Sequence, residues 1–176
     1  MAALADTGFV SMRVSKVTAL READEERDSY YFSYWMMLEE LDGDRPLVIV
    51  TCQQEAFGLA AALSRKEWPR PMTYQFMAAL VRALDGRVRE VRLDRVVDGA
   101  YAATVEVEGP AGAARDVDAR SSDALTLAVL CGAPIFVAPE MLDDCARRFL
   151  EGDSPAAAAG HRALAADPVT FPKVDG

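Results

Sequence analysis

An internal repeat constrains this chain more than any other feature. EAFGLA at residues 55–60 and DALTLA at 123–128 align with a uniform offset of 68, and the same offset pairs Trp35 with Ala103 and Ile49 with Val117. The first strands of the two halves need an offset of 74, which pairs Val14 with Val88 and Val17 with Val91; the acidic loop READEERDS in the first half absorbs the difference. Because the order of elements repeats as well as the residues, two copies of one supersecondary unit are expected to share a core.

Each copy reads as three strands and a helix. MRVSKVTAL and YYFSYWMMLEEL carry strand-favouring residues, Asp42-Gly43 marks a turn, and RPLVIVTC returns as a buried arm before QQEAFGLAAALS switches to helical spacing. After the break at Trp68-Pro69-Arg70-Pro71, MTYQFMAALVRAL reads as a linking helix over 72–84. Thr73 can cap its first turn, and Phe76, Met77, Leu80, Val81 and Leu84 form its apolar face. VREVRLDRV, AYAATVEVEG and ARDVDARS then repeat the strands and SSDALTLAVLCG the helix; PIFVAPEML reads as an edge strand or extended arm, and LDDCARRFLEG as a closing helix.

The expectation is a mixed α/β (α+β) fold: duplicated β-β-β-α units forming a mixed sheet or barrel-like core packed by helices. One domain spans 12–150, with pseudo-repeats at about 12–64 and 86–132. Residues 1–11 form an N-terminal tail, and 151–176, rich in alanine, proline and glycine without sustained periodicity, are expected to be flexible.

Composition excludes several function classes. No stretch approaches the roughly 20 apolar residues of a membrane helix, and the N-terminus lacks a basic and apolar leader, so a cytoplasmic protein without membrane contact is expected. Three cysteines, Cys52, Cys131 and Cys145, lack paired spacing, which argues against disulfides and a zinc knuckle. A net charge of −9 opposes non-specific attraction to polyanions, although Arg65, Lys66, Arg70, Arg82, Arg87, Arg89, Arg92 and Arg95 face only Glu67, Asp85, Glu90 and Asp94 in a locally positive middle third. The only histidine, His161, lies in the tail, which leaves carboxylates, arginines, hydroxyls and Cys52 for any chemistry inside the domain.

Such groups gather at the strand-to-helix junctions. DVDARSSDALTLA puts Asp118 and Arg120 two apart on one strand face, Ser121 or Ser122 at the helix cap and Asp123 in the first turn. A helix start with hydroxyls and an arginine suits a phosphate, and Asp118 with Asp123 could hold a divalent cation. The same serine and aspartate also satisfy the helix dipole with no ligand. In the first half, Glu55 takes the place of Asp123. Cys52 sits before the helix, where the dipole favours a thiolate nucleophile, or is a buried structural thiol.

EWPRPMTYQFMAALV resembles the proline-arginine-proline and threonine segment of the bifunctional nuclease (BFN) family. VDARSSDALTLAVLCGAPIFV resembles its aspartate-alanine-arginine and serine-aspartate-alanine segment, and QEAFGLAAAL its glutamate-alanine helix. The similarity runs from about Met12 to Cys145. It implies a mixed α/β fold, self-association as a homodimer or higher homo-oligomer, and cleavage of DNA and RNA; the matching polar positions are Glu55, Arg70, Thr73, Asp118, Arg120, Ser122 and Asp123. The chain departs from the family pattern with Tyr74 and Gln75 where histidine and aspartate are common, Ser121 where proline is usual, and no glycine around Thr51 and Cys52.

Three functions follow as expectations. A metal-assisted phosphodiesterase would use Asp118, Asp123 and Glu55 around an ion, Arg70 and Arg120 on phosphate, and Ser122 or Thr73 to orient water; the cofactor is not fixed, and magnesium or manganese is the candidate. A repurposed relative would condense or cyclise a small acidic metabolite, with Tyr74, Glu55 or Cys52 moving protons. A non-catalytic dimeric binding module is the third.

Overall fold

In the computed structural model, residues 8–24, 28–65 and 68–169 are described. The chain runs β1 (Val10–Asp24), β2 (Ser29–Glu40), β3 (Pro46–Thr51), α1 (Gln53–Leu63), α2 (Thr73–Ala83), β4 (Arg87–Val97), β5 (Ala100–Glu108), β6 (Ala114–Arg120), α3 (Ser121–Cys131), β7 (Ile135–Val137), α4 (Pro139–Cys145) and α5 (Pro155–Ala165). A short 3-10 turn at Pro110–Gly112 precedes β6, and a π-helical turn at Ala146–Leu150 prolongs α4. No helix among the described residues is long and apolar enough to cross a membrane.

All strands join one mixed seven-stranded sheet in the order β3-β2-β1-β7-β4-β5-β6. The repeat is visible in it: α3 starts and ends 68 residues after α1. Under the offset of 74, the bulge between Val14 and Lys16 in β1 corresponds to the one between Val88 and Glu90 in β4. Each half is an antiparallel meander, and β7 joins them, antiparallel to β1 and parallel to β4. The expected edge strand is thus the centre of the sheet. Ile135 and Val137 are buried there, which a wholly apolar run allows and an exposed edge would not.

Neighbouring residues of a strand face opposite sides, so the buried run Trp35-Met36-Met37-Leu38 requires cover on both faces of the first half. On one side the Trp35 ring meets Phe149 of the π turn edge-on at 5.7 Å, and the Thr18 hydroxyl donates to the Ala163 carbonyl of α5. On the other, α1 packs against β1 and β2. The outer edge of β3 is occupied at one point, where Val48 N–H donates to the buried Cys145 Sγ at 3.3 Å.

One further expectation needs correction. Much of the segment expected to be flexible is α5: Lys16 Nζ donates to the carbonyls of Leu164 and Ala166 at 2.6 and 2.8 Å, Arg162 pairs with Glu22, and Val169 N–H donates to Val17 O at 2.7 Å. Ser154 caps it by accepting from Ala157 N–H. Residues 170–176 and 1–7 of the expected tails lie outside the described residues. The linking helix α2 leaves most of its apolar face open. Only Ala78 is buried, while Phe76, Met77, Leu80 and Leu84 stay 38–71% exposed.

Candidate functional site

The repeat brings two helix starts together. β3 ends into Cys52 and β6 into Arg120, both extended (ψ 170° and 145°), and each is the N-cap residue of the helix that follows. Glu55 and Asp123 are therefore third residues of α1 and α3, where a carboxylate interacts favourably with the helix dipole. The helices pack side by side. Two like charges held close need a cation between them, and Arg120 supplies it. Its Nη1 donates to Glu55 Oε1 at 2.8 Å, its Nε to Asp123 Oδ2 at 2.7 Å and its Nη2 to Asp123 Oδ1 at 3.0 Å.

Asp123 Oδ1 has a second donor, and the remaining Glu55 oxygen has one of its own. Tyr74, from α2, donates its hydroxyl to Asp123 Oδ1 at 2.7 Å, and the Cys52 thiol donates to Glu55 Oε2. The thiol hydrogen bond, then Glu55's own backbone N–H, then Arg120 hold the Glu55 carboxyl below the usual range against the opposing effect of burial. Burial first, and then the Asp123 hydrogen bond and charge, push the Tyr74 phenol well above its ordinary value, so it keeps its proton as a donor. Asp123 and Glu55 raise Arg120 further, and it stays a guanidinium at every working pH.

Glu55, Tyr74, Arg120 and Asp123 border a cleft of about 810 Å³ between α1, α2 and α3. Polar groups from Gln53, Gln54, Thr73 and Gln75 reach it, and its apolar walls come from Phe57, Ala61, Ala62, Met72, Met77 and Leu130. Gly58 belongs to the design. A Cβ there would lie 2.5 Å from Tyr74 Cε2 and 2.9 Å from Cδ2, so the ring reaches Asp123 only because this helical residue has no side chain. Sequence reasoning passed over Gly58, although a lone glycine inside an alanine-rich helix was its signal.

Of the residues singled out from sequence, Cys52, Glu55, Tyr74, Arg120 and Asp123 form one hydrogen-bonded cluster. Asp118 does not join its hydrogen bonds; its largely exposed carboxylate binds Arg95 instead. Arg70 is exposed in the turn before α2, does not line the cleft, and has no ion-pair partner among the described residues. Thr73 is the first residue of α2, not its cap; Met72 holds that place, its N–H donating to Gln75 Oε1 at 2.9 Å. Ser121 and Ser122 likewise begin α3 with Arg120 as N-cap, and both are buried; the Ser122 carbonyl accepts from Thr126.

Four of the eight cations of the positive middle third are paired in three dimensions. Arg87 and Arg89 pair with Glu108, Arg89 and Arg92 with Glu106, Arg92 also with Glu90 and Asp116, and Arg95 with Asp94 and Asp118. Cross-strand pairing on β4, β5 and β6 thus spends cations that the linear sequence left unpaired. Among the described residues no group of three or more His, Cys, Asp or Glu side chains could hold a metal. A divalent cation at the cleft would have Glu55 and Asp123 as carboxylate donors, and Arg120 engages both.

A family model described as the bifunctional nuclease domain matches residues 36–149. Two curated relatives from Mycobacterium tuberculosis, the uncharacterized proteins MT1877 (strain CDC 1551 / Oshkosh) and Rv1829 (strain ATCC 25618 / H37Rv), are each 33% identical over 107 residues. These alignments cover 61% of this chain and 63% of each relative, so the chain spans under two thirds of the relatives' length. The matched span includes β3, all of α1, α2 and α3 and every residue of the Arg120 cluster, and the chain belongs to the bifunctional nuclease domain family.

Proposed function

We propose that the protein is a nuclease-like hydrolase that receives a phosphodiester of DNA or RNA in the cleft, with Arg120 as the group that meets the phosphate. One observation carries the reading: among the described residues that line the cleft Arg120 is the only cation, its side chain is 66% exposed, and carboxylates from both halves orient it. A guanidinium presents a planar fork that matches two phosphate oxygens, and the first N–H groups of α3 start beside it. Drawing Arg120 onto phosphate frees Glu55 and Asp123. Two carboxylates are a donor set that suits magnesium or manganese together with substrate oxygens and water. Such an ion would supply neutralisation of the phosphate charge and a water of lowered pKa. Tyr74 holds Asp123 in position, Cys52 holds Glu55, and Thr73 presents a hydroxyl at the cleft. The free thiols of Cys52, Cys131 and Cys145 suit the reducing cytoplasm.

The test is hydrolysis of single- and double-stranded DNA and RNA by purified protein with magnesium or manganese. Arg120→Ala and Asp123→Ala should each lower the rate by about 10²-fold or more, the scale for removing a charge-stabilising group. Cleavage unchanged in both variants would assign the activity to a contaminant.

The cleft also supports a second reading. At about 810 Å³, with Phe57, Met72, Met77 and Leu130 on its walls, it has the size and lining of a small-molecule site. Arg120 would then hold the carboxylate or phosphate of an acidic metabolite while Glu55, Tyr74 or Cys52 moved protons in a condensation or cyclisation. Thermal stabilisation by small organic acids or nucleotides, absent in Arg120→Ala and unmatched by oligonucleotides, would favour it.

A further inference from the structure

We propose that a second cleft, beneath the C-terminal half of α2, binds a free single-chain amphipathic carboxylate whose apolar chain lies along the cleft and whose head group meets Arg115. The cleft has a volume of about 710 Å³, the size of a small-molecule site. Its floor is formed by the buried side chains of Val105 on β5 and of Ala124 and Leu127 on α3, and its walls by Met77 and Val81 of α2 and Val117 of β6. Charged or polar side chains in its lining are confined to Arg115, Asp118 and Asp123. Both ends of α2 are anchored, so the cleft is preformed. Tyr74 is tied to Asp123 at the start. At the end, Gly86 N–H donates to Val81 O at 2.9 Å, and a Cβ on Gly86 would stand 3.2 Å from the Glu108 carbonyl oxygen of β5.

Shape and charge select such a ligand. Arg115, Val117 and Ala119 share one face of β6 over about 13 Å of strand. Met77, Val81 and Leu84 border the same space over about two turns of helix, so the cleft is an elongated trough with Arg115 towards one end. Arg115 is the only cation among the described residues that line it, and it has no ion-pair partner among the described residues. The two carboxylates at the rim are already engaged, Asp118 by Arg95 and Asp123 by Arg120 and Tyr74. The uncompensated charge of the trough is therefore positive, and an anionic head group complements it while the apolar walls take the chain. The trough is distinct from the first cleft: Met77 and Asp123 border both, but Arg120 lines only the first and Arg115 only the second.

Isothermal titration calorimetry of the full chain with octanoate, decanoate and dodecanoate, each below its micelle threshold, tests this without reference to hydrolysis, so its failure is separate from failure of the proposed activity. One site per chain is expected, with affinity rising about fourfold for each methylene added. Arg115→Gln should weaken decanoate about fivefold and leave decanol unchanged. Val117→Glu, at an exposed position of the edge strand β6, should abolish binding of both. Far-ultraviolet circular dichroism checks the fold of each variant, and Arg115→Gln decides the matter alone if Val117→Glu unfolds. Arg120→Ala should bind decanoate as wild type does, whereas an acid seated in the first cleft would be lost from it. No saturable binding, equal affinity for decylamine, decanoate binding untouched by Arg115→Gln, or its loss in Arg120→Ala overturns the proposal.

Discussion

Gly58→Ala should destabilise the protein although it places a better helix former inside α1. An alanine at an unstrained helical position is worth about 1 kcal/mol over glycine. Here the new Cβ would stand 2.5 Å from Tyr74 Cε2, whereas carbon atoms rest at about 3.5–4.0 Å, so the ring must retreat by about 1 Å. Overpacking of this kind costs about 1–3 kcal/mol. The retreat also breaks the 2.7 Å bond from the Tyr74 hydroxyl to Asp123, worth roughly 1 kcal/mol after discounting for partial exposure. The net loss is about 1–3 kcal/mol, or roughly 2–4 °C in Tm for each kcal/mol in a chain of this size. Urea unfolding followed by circular dichroism reads it, and a second background gives the sign. With Tyr74→Ala already in place the obstacle is gone, and Gly58→Ala should become stabilising by about 0.5–1 kcal/mol. In Tyr74→Phe, which keeps the ring, it should still destabilise. Stabilisation by Gly58→Ala in the wild-type background would refute the packing of Tyr74 against α1.

Arg120→Gln removes the cation from the cluster and should cost about 1 kcal/mol at neutral pH, a modest figure because the arginine is 66% exposed. The Glu55 pKa lies below its ordinary 4.5, so its contribution is present above that value and is lost as pH falls through the lower folded value; urea midpoints should converge between wild type and variant on acidification. Tyr74 and Tyr101 have raised pKa values, so the stability they provide is complete below about 10.0 and is lost as pH rises beyond it. Tyr74→Phe with Tyr101→Phe should flatten the alkaline fall in Tm, and an unchanged fall would contradict the assignment. At Gly160 a Cβ would lie 2.1 Å from the Phe149 carbonyl oxygen, a backbone atom that cannot rotate away. Gly160→Ala should therefore undock α5, costing about 2 kcal/mol or more and accelerating hydrogen exchange of its amides.

The repeat made much of this fold legible, because identical spacing of apolar residues in two segments forces two similar units, and the boundaries of α1 and α3 follow the offset residue for residue. The position of β7 was not legible: a three-residue apolar strand reads the same at an edge as at a centre, and only its pairing with β1 and β4 decides. The alanine-rich α5 lacked the period of an amphipathic helix because it docks through backbone carbonyls and small contacts at Ala157, Gly160 and Ala163 rather than through a stripe of large side chains. At the site, Glu55 and Asp123 were found from their matching helix starts. Asp118 was grouped with Asp123 by closeness in sequence, yet the strand carries its carboxylate to Arg95. The departure at Tyr74 and Gln75 acquires local reasons, since Gln75 closes the first turn of α2 while Tyr74 leaves that helix for Asp123.

The duplication explains a charge balance that separates the two functional readings. Equivalent N-cap positions carry Cys52 in one half and Arg120 in the other, so two carboxylates share a single guanidinium and the cluster has a formal charge of −1. Two helix N-termini add about half a positive charge each, which brings the site close to neutral rather than attractive to an anion. A phosphodiester in a protein of net charge −9 therefore gains little from Arg120 alone, because every hydrogen bond it takes from that arginine leaves Glu55 and Asp123 less compensated. Glu55 and Asp123 would be the residues to hold a divalent cation, whose charge would offset theirs and leave Arg120 available to the phosphate. A small apolar acid needs no such ion, since burial against Phe57, Met72 and Met77 contributes binding energy that the charges do not. Both readings draw on one arginine, but they differ in what offsets its loss to Glu55 and Asp123: a cation's charge for a phosphodiester, and apolar burial for a small acid.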